Sequence, residues 1–364
     1  MSSGSRIGYV GSLETGGTCY SRLLALQSVE HGVLPLDTRC ELDFSALPRV
    51  RRWIEHLPGL GPATRRLNRR VARFAVEQKL DLLWIDKGTW VDRGLLRSLR
   101  QRGIFLVQHV TDALWPAKTV LRITRARLAA NAPQFDCFVT SNAADAEQLR
   151  GRMGERVLTT QLGYDERRFT VPVGSALAAG GETRRHKMVF VGHHEPRSER
   201  GIMALIEAGL PVSVFGSQWV RRARWNRRLT GHAFPGLTDA AYVAVLQMAD
   251  IGLGFVSEWN YNETAGRSYE IPACGTFLLA LRTPQHLQHY REGEEAEFFR
   301  DEAELVQKAQ LYSRDYARRK EIAAAGLRRC RVSGYSWREI MLRDWAKILE
   351  LRRAREGVVA GEAR

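Results

Sequence analysis

Short apolar runs alternate with amphipathic stretches along most of this chain. Residues 7–10, 34–36, 82–85, 104–107, 137–140 and 157–161 are compact apolar segments, each followed closely by polar or turn-forming positions. Runs this short read as buried strands, because length separates them from helices. Between them, 20–30, 65–79, 91–100 and 143–150 carry helical spacing, with Leu67, Val71, Phe74 and Ala75 on one face of the second. The segment 172–186, PVGSALAAGGETRRH, breaks the alternation and suits a linker. The alternation then restarts. Strands are expected at 188–191, 212–215, 251–255 and 276–279, and helices at 201–208, 239–248, 284–290, 302–310 and 313–326. A last helix over 336–355 places Ile340, Leu342, Trp345 and Ile348 at core-like spacing. Strands separated by helices predict two α/β halves, each with a parallel sheet covered on both faces.

The richest stretch is 249–279, ADIGLGFVSEWNYNETAGRSYEIPACGTFLL. It predicts a buried strand (Ile251, Leu253, Phe255), a polar loop, a helix start, a Cys274-Gly275 corner and a second strand. The loop from Thr264 through Ala265 and Gly266 to Arg267 is expected to expose backbone N–H groups at the helix start, with Glu270 further along the helix. Such donors suit a diphosphate, and a carboxylate can accept from ribose hydroxyls. Arg267 lies three residues before Glu270, so on a helix the two share a face. They can pair with each other, or divide a nucleotide between phosphate and ribose; the second reading is favoured.

Glu270-Ile271-Pro272-Ala273-Cys274-Gly275 resembles the E-x-x-A-C-G signature in the C-terminal domain of GT-B glycosyltransferases. The wider run from Asn262 to Phe299 resembles the branch related to the spore-maturation protein CgeB. In the broader group-1 enzymes a first Glu precedes the second by eight positions; here the second is Glu270 and the first falls on Asn262. An Asn can bond a sugar hydroxyl but carries no charge. The resemblance implies a GT-B fold: two Rossmann-like parallel-sheet domains facing a cleft, with a C-terminal helix crossing back to the first. It divides the chain into an acceptor-side domain (1–171), a linker (172–186), a nucleotide-sugar domain (187–335) and a crossing helix with tail (336–364). It also implies a hexosyltransferase-like activity, retention of configuration, and no requirement for a bound metal or a cofactor beyond the nucleotide-diphosphate sugar.

Further candidates lie at strand ends, where open α/β sheets bind ligands. Gly192, His193 and His194 end one strand, with Arg197 and Arg200 following; a guanidinium matches phosphate oxygens bidentately. The adjacent histidines have no third ligand at metal-site spacing. In the first half, Gly11, Gly16, Gly17 and Thr18 form a loop in which glycine allows close backbone approach, though it matches neither the dinucleotide fingerprint nor the P-loop. His109 and Asp112, and behind them Asp86 and Lys87, follow strands on what the resemblance makes the acceptor side. With Asn262, His109 and Asp112 are the candidates for chemistry, which requires an aligned hydroxyl and a neutralised leaving diphosphate.

Charge adds a second theme. The 364 residues carry a net charge of +15. Arginines cluster at Arg49, Arg51, Arg52, Arg65, Arg66, Arg69, Arg70 and Arg73, near Trp53 and Leu57; at Arg221, Arg222, Arg224, Arg227 and Arg228, around Trp219 and Trp225; and, with Lys118, at Arg122, Arg125 and Arg127. Such clusters suit an anionic membrane surface or an acidic polymer. The five scattered cysteines read as reduced thiols. The N-terminus lacks a secretory pattern, and no apolar run is long enough to span a bilayer. The expected setting is cytoplasmic, with peripheral contact at the inner membrane face. The expected activity is transfer of a sugar from a nucleotide sugar to a hydroxyl acceptor, on a cell-surface glycan precursor or a lipid-linked or acidic molecule. The alternatives are a same-fold epimerase or hydrolase, or a basic nucleic-acid-binding protein; against the last, the sequence shows no helix-turn-helix, zinc-finger or RRM signature.

Overall fold

The structure, a computed structural model, describes residues 5–42, 61–116, 119–169 and 186–362. Arg49, Arg51, Arg52, Trp53, Leu57, Lys118 and the expected linker as far as residue 185 lie outside the described residues. The chain forms two compact units. The first takes in described residues of 1–161 with 259–261 and 338–364; the second takes in those of 162–258 and 262–337.

The first unit holds a six-stranded sheet ordered β2-β1-β3-β4-β5-β6. Its strands are β1 (Ile7–Gly11), β2 (Val33–Asp37), β3 (Leu82–Asp86), β4 (Phe105–Val110), β5 (Cys137–Thr140) and β6 (Val157–Thr159). Every pairing is parallel. β1, β3, β4 and β5 are buried along their whole length, which is why they read as continuous apolar runs and not as alternating ones. Leu67, Val71 and Ala75 of the helix Pro62–Glu77 pack with Leu83, Ile85 and Leu106. Two features lay outside the sequence reading. The arginines at 122–127 belong to a helix, Thr119–Asn131, and a short helix, Arg39–Leu42, follows β2.

The chain ends in a helix, Trp337–Glu362, whose residues from 338 onward belong to the first unit. Trp345 donates its indole N–H to Glu30 (3.0 Å), Arg355 donates to Asp136 (2.8 Å), and Thr160 donates to Asp344 (2.6 Å). Ile340, Trp345 and Ile348 are buried, as their spacing predicts, but Leu342 is exposed. Two positions advance a helix by about 200°, so Leu342 cannot share the face of Ile340.

The second sheet is ordered β12-β11-β10-β7-β8-β9. Its strands are β7 (His186–Val191), β8 (Val212–Phe215), β9 (Ala233–Phe234), β10 (Ala249–Gly254), β11 (Phe277–Leu281) and β12 (Glu297–Phe299), again all parallel. The short outer strands β9 and β12 were not legible as apolar runs. One face of the sheet is built on Phe190, Trp219, Phe255, Phe277 and Phe299, the other on Tyr269, Ile271, Leu278, Tyr290 and Phe298. In this order the chain adds β8 and β9 on one side of β7, then returns to add β10, β11 and β12 on the other. Reversal of this kind opens a crevice at the carboxyl ends of the two strands flanking the switch. Here they are β7 and β10, and in the first sheet they are β1 and β3. Both units are α/β and Rossmann-like, the two halves of a GT-B fold.

Candidate functional site: the switch point of the second sheet

β7 ends at Val191 and β10 at Gly254, so the turns at Gly192 and Phe255 face the switch. The helix Arg267–Ala273 brings Arg267 there. Its guanidinium stacks over the Phe190 ring, 5.1 Å from the centroid, and Nη2 donates to the Phe255 carbonyl at 3.4 Å. Nε is buried, with no hydrogen-bond partner among the described residues. A Cβ on Gly192 would stand 3.1 Å from the guanidinium and 2.9 Å from Phe190. A Cβ on Gly216, which follows β8, would stand 2.6 Å from the Gly192 carbonyl oxygen. That oxygen also accepts from the Trp219 indole at 3.1 Å. Glycine is needed at both positions because backbone and side chain approach too closely for any larger residue.

Glu270 lies one turn on and is 9% exposed. It does not pair with Arg267. Its Oε2 accepts from the Tyr242 hydroxyl at 2.6 Å, and among the described residues Oε1 makes no hydrogen bond. Burial raises its pKa above the usual carboxylate value, against the Tyr242 hydrogen bond and the charges of Arg267 and Arg168. The arginine and the carboxylate thus sit on one short helix with separate partners.

The loop before the helix is less open than the sequence suggests. Thr264 is buried and donates to Gln285 (3.3 Å), and the Ala265 N–H is taken by the Ser268 hydroxyl (3.0 Å). Ser268 Oγ lies 2.7 Å from His286 Nε2, and His286 Nδ1 lies 2.7 Å from the Leu281 carbonyl. A carbonyl can only accept, so Nδ1 carries the proton, Nε2 accepts, and the Ser268 hydroxyl donates. Burial pushes His286 down to about 4, which keeps it neutral in this chain. The result is a polar relay that ties the loop to the end of β11. The helix itself is seven residues long with Pro272 inside it, shorter than the expected helix start implied.

The remaining second-unit candidates divide. Gly266 stands against the Glu270 carboxylate, a Cβ there lying 3.4 Å from it. Asn262 is half-buried and bonded. His193 is exposed, while His194 bonds Glu199 at 2.8 Å and packs edge-on against Trp219. Arg197 is half-buried in the first turn of the helix Pro196–Glu207, its backbone N–H held by Glu258 at 3.3 Å. Arg200 is exposed and paired with Glu302 at 3.0 Å, an association that already occupies its guanidinium. Tyr242, Phe190, Gly216 and Trp219 complete the site but were not singled out for it. Only Gly216, a glycine directly after a strand, left a signal in the sequence.

The switch point of the first sheet is filled differently. Asp86, at the end of β3, is buried and accepts from Arg22 through Nε (2.7 Å) and Nη2 (2.8 Å) and from the Tyr9 hydroxyl (2.5 Å). Despite burial, Arg22 and His109 hold its carboxyl far below the usual range. A Cβ on Gly11 would lie 3.2 Å from Asp86 Cβ. His109, at the adjacent register position on β4, stacks on Trp84 and is 2% exposed. Burial and the Arg22 charge push it down to about 3, and its Nδ1 has no hydrogen-bond partner among the described residues. An imidazole held so low is a weak general base. Asp112 is accessible, with Arg125 at 3.7 Å and Asn260 at 3.4 Å. Gly16 adopts φ +84° in the turn after β1, and Gly17 caps the helix Thr18–Val29. Arg122 and Arg125 donate to the Pro116 and Ala113 carbonyls, so part of the third basic cluster secures a turn.

Residues 197–344 match the model of a family described as glycosyl transferase-like. Over the whole chain the fold is similar to sucrose-phosphate synthase from Thermosynechococcus elongatus (TM-score 0.66, 15% identity, 98% of this chain and 100% of that one). It is equally similar to Anabaena HepE in complex with UDP-glucose (TM-score 0.66, 15% identity, 96% and 99%). A glycosyltransferase from Rickettsia africae gives a TM-score of 0.63 at 9% identity, covering 96% and 99%. None of the curated proteins matches the sequence. The matched residues fall largely in the second unit, and the fold of the chain is the GT-B fold of these structures.

Proposed function

We propose that this protein is a glycosyltransferase that holds a nucleotide-diphosphate sugar at the switch point of its second sheet and passes the sugar to a hydroxyl acceptor. The observation that carries the reading is the contrast between the two switch points. In the first, Asp86 is taken up by Arg22 and the Tyr9 hydroxyl at the edge of a cavity lined by Thr38, Arg39, Lys87 and Trp90, whereas the second presents Arg267, whose Nε has no hydrogen-bond partner among the described residues, and, one turn on, a Glu270 oxygen likewise without one. An arginine in that position is matched to a diphosphate, and Glu270 Oε1 to a ribose hydroxyl. Glycines 192 and 216 let Phe190, the Arg267 guanidinium and the Gly192 carbonyl pack closely at the strand ends, which fixes where Arg267 stands. Gly266 and the Thr264–Ala265 turn shape the nucleotide loop, and Arg197 and His193 flank it.

Fold likeness to a protein captured with UDP-glucose makes a UDP-sugar the donor to test first. Asp112 is the proposed acceptor-side group because its carboxylate is accessible, whereas His109 is buried and a weak base. The run from Asn262 to Phe299 supports placement near the CgeB-related branch, and the group-1 likeness supports retention of configuration, with Asn262 in place of the first Glu.

The test is a thermal-shift panel of the purified protein against UDP, GDP, ADP, CMP and their sugar conjugates. A ligand that binds only the folded state raises stability by about 2.7 kcal/mol at roughly a hundred times its Kd. A selective shift with one diphosphate nucleotide is expected; no shift with any of them sinks the reading. Turnover of the shifted nucleotide sugar without any acceptor would instead indicate the same-fold epimerase or hydrolase.

A further inference from the structure

Between Glu207 and Asp239 the chain contains no Asp or Glu, yet it carries Arg221, Arg222, Arg224, Arg227 and Arg228. These residues lie on and after the helix Ser217–Ala223, which begins directly beyond Gly216. Two of the arginines are neutralised from the neighbouring helix Pro196–Glu207: Arg222 by Glu199 at 2.7 Å, and Arg228 by Glu207. Arg221, Arg224 and Arg227 are exposed and have no acidic partner among the described residues.

The aromatics here separate sharply. Trp219, expected on a basic surface, is fully buried in the second unit's core and bonded to the Gly192 carbonyl. Trp225 is 87% exposed. It is not on a slack loop. Its backbone N–H bonds the Arg222 carbonyl at 2.9 Å, the Asn226 side chain accepts from the Arg228 N–H, and Leu229 is buried immediately after. The turn is pinned at both ends by the buried Trp219 and Leu229, and the exposed indole follows Arg221 and Arg224 and precedes Arg227 in the chain.

We propose that this turn is a contact for a bilayer carrying anionic phospholipid, with Trp225 entering the headgroup layer and Arg221, Arg224 and Arg227 meeting lipid phosphates. An indole is stable at that level because one end is apolar and its N–H still finds a partner. Each arginine near an anionic leaflet contributes about 1 kcal/mol, a roughly fivefold change in partition. A single-stranded nucleic acid fits less well, because it is held on successive aromatic platforms and this patch offers one exposed ring. The inference is independent of the donor reading. The turn starts beside Gly216, so the contact would hold the same sheet edge as the candidate site near the lipid surface.

The test is co-sedimentation of the full-length protein with vesicles of phosphatidylcholine, with and without phosphatidylglycerol. Partition is expected only with phosphatidylglycerol. Trp225→Ala should weaken it about tenfold, and R221Q, R224Q and R227Q combined roughly a hundredfold, whereas R221K, R224K and R227K combined should retain it. All these side chains are exposed, so unchanged circular dichroism and unfolding temperature are expected for each variant. Absence of phosphatidylglycerol-dependent partition, or partition indifferent to these variants, overturns the proposal. So does binding to a single-stranded oligonucleotide that Trp225→Ala abolishes while vesicles are not bound.

Discussion

Two arginines, each at a sheet's switch point, show how partners set the role of a residue. Arg22 and Asp86 are both buried and pair with one another through Nε and Nη2. Removing one partner of such a pair strands the other charge, at a cost of about 3–5 kcal/mol. Asp86→Ala is therefore expected to destabilise the first unit by that amount in denaturant unfolding; a loss below about 1 kcal/mol would show the pair to be dispensable. Arg267 lacks such a partner at Nε and lies against Gly192 and Phe190. Arg267→Ala and Glu270→Ala should each lower nucleotide affinity at least tenfold while the protein stays folded, as read by calorimetric titration. Unchanged affinity in both would remove the site. Glu270 and Arg267 were legible as a pair from their spacing. Their separation was not, because Tyr242, the residue that holds Glu270, comes from a helix 28 positions earlier in the chain.

Among the elements, the loop–helix unit 264–273 depends on its neighbours. Its relay through Ser268 and His286 to the Leu281 carbonyl uses a histidine from the helix Pro284–His289. His286→Leu removes both ring hydrogen bonds and leaves the buried Ser268 hydroxyl proton without its acceptor, for an expected loss of about 1–3 kcal/mol, together with weaker nucleotide binding as the loop relaxes. Loss of stability with unchanged binding would separate the relay from the site. Because the folded pKa of His286, about 4, lies below its unfolded value, the unfolded chain binds more protons between the two. Its contribution to stability is complete above the unfolded value and declines as pH falls towards about 4. Gly216→Ala tests the adjacent turn. A methyl 2.6 Å from the Gly192 carbonyl forces the turn apart, so nucleotide affinity should fall even if Tm changes little. A variant with full affinity would show that the turn has slack.

For the molecule as a whole, the informative element is the final helix, which completes the first unit although its sequence follows the second. Asp344 on that helix accepts from Thr160 and is pushed up to about 6, chiefly by burial. Its folded pKa is above its unfolded value, so the folded state binds the extra proton between them. The stability tied to that proton is present at low pH and is lost as pH rises through about 6. Asp344→Asn keeps an acceptor for Thr160 without the buried charge. The variant should gain stability relative to the parent as pH rises from about 5 to about 7.5, measured by urea unfolding at each pH. A difference that does not change with pH would show that the carboxyl is not held in its buried setting.

The sequence by itself determined the alternation of strands and helices, the parallel sheets and the likeness carried by Glu270–Gly275. These are local: an apolar run either is or is not long enough for a buried strand, and a signature is read along the chain. Edge strands escaped notice because β9 and β12 are only two and three residues long, too short for an apolar run to register. The helix Thr119–Asn131 was hidden by its arginines, whose partners are carbonyls of a preceding turn. Only the tertiary structure decided which tryptophan of the second basic cluster is core and which is surface. It also buried His109, paired Asp86 with Arg22 at one switch point and placed Arg267 at the other. Burial and charge pairing arise between residues far apart in the chain, so no pattern along it can assign them.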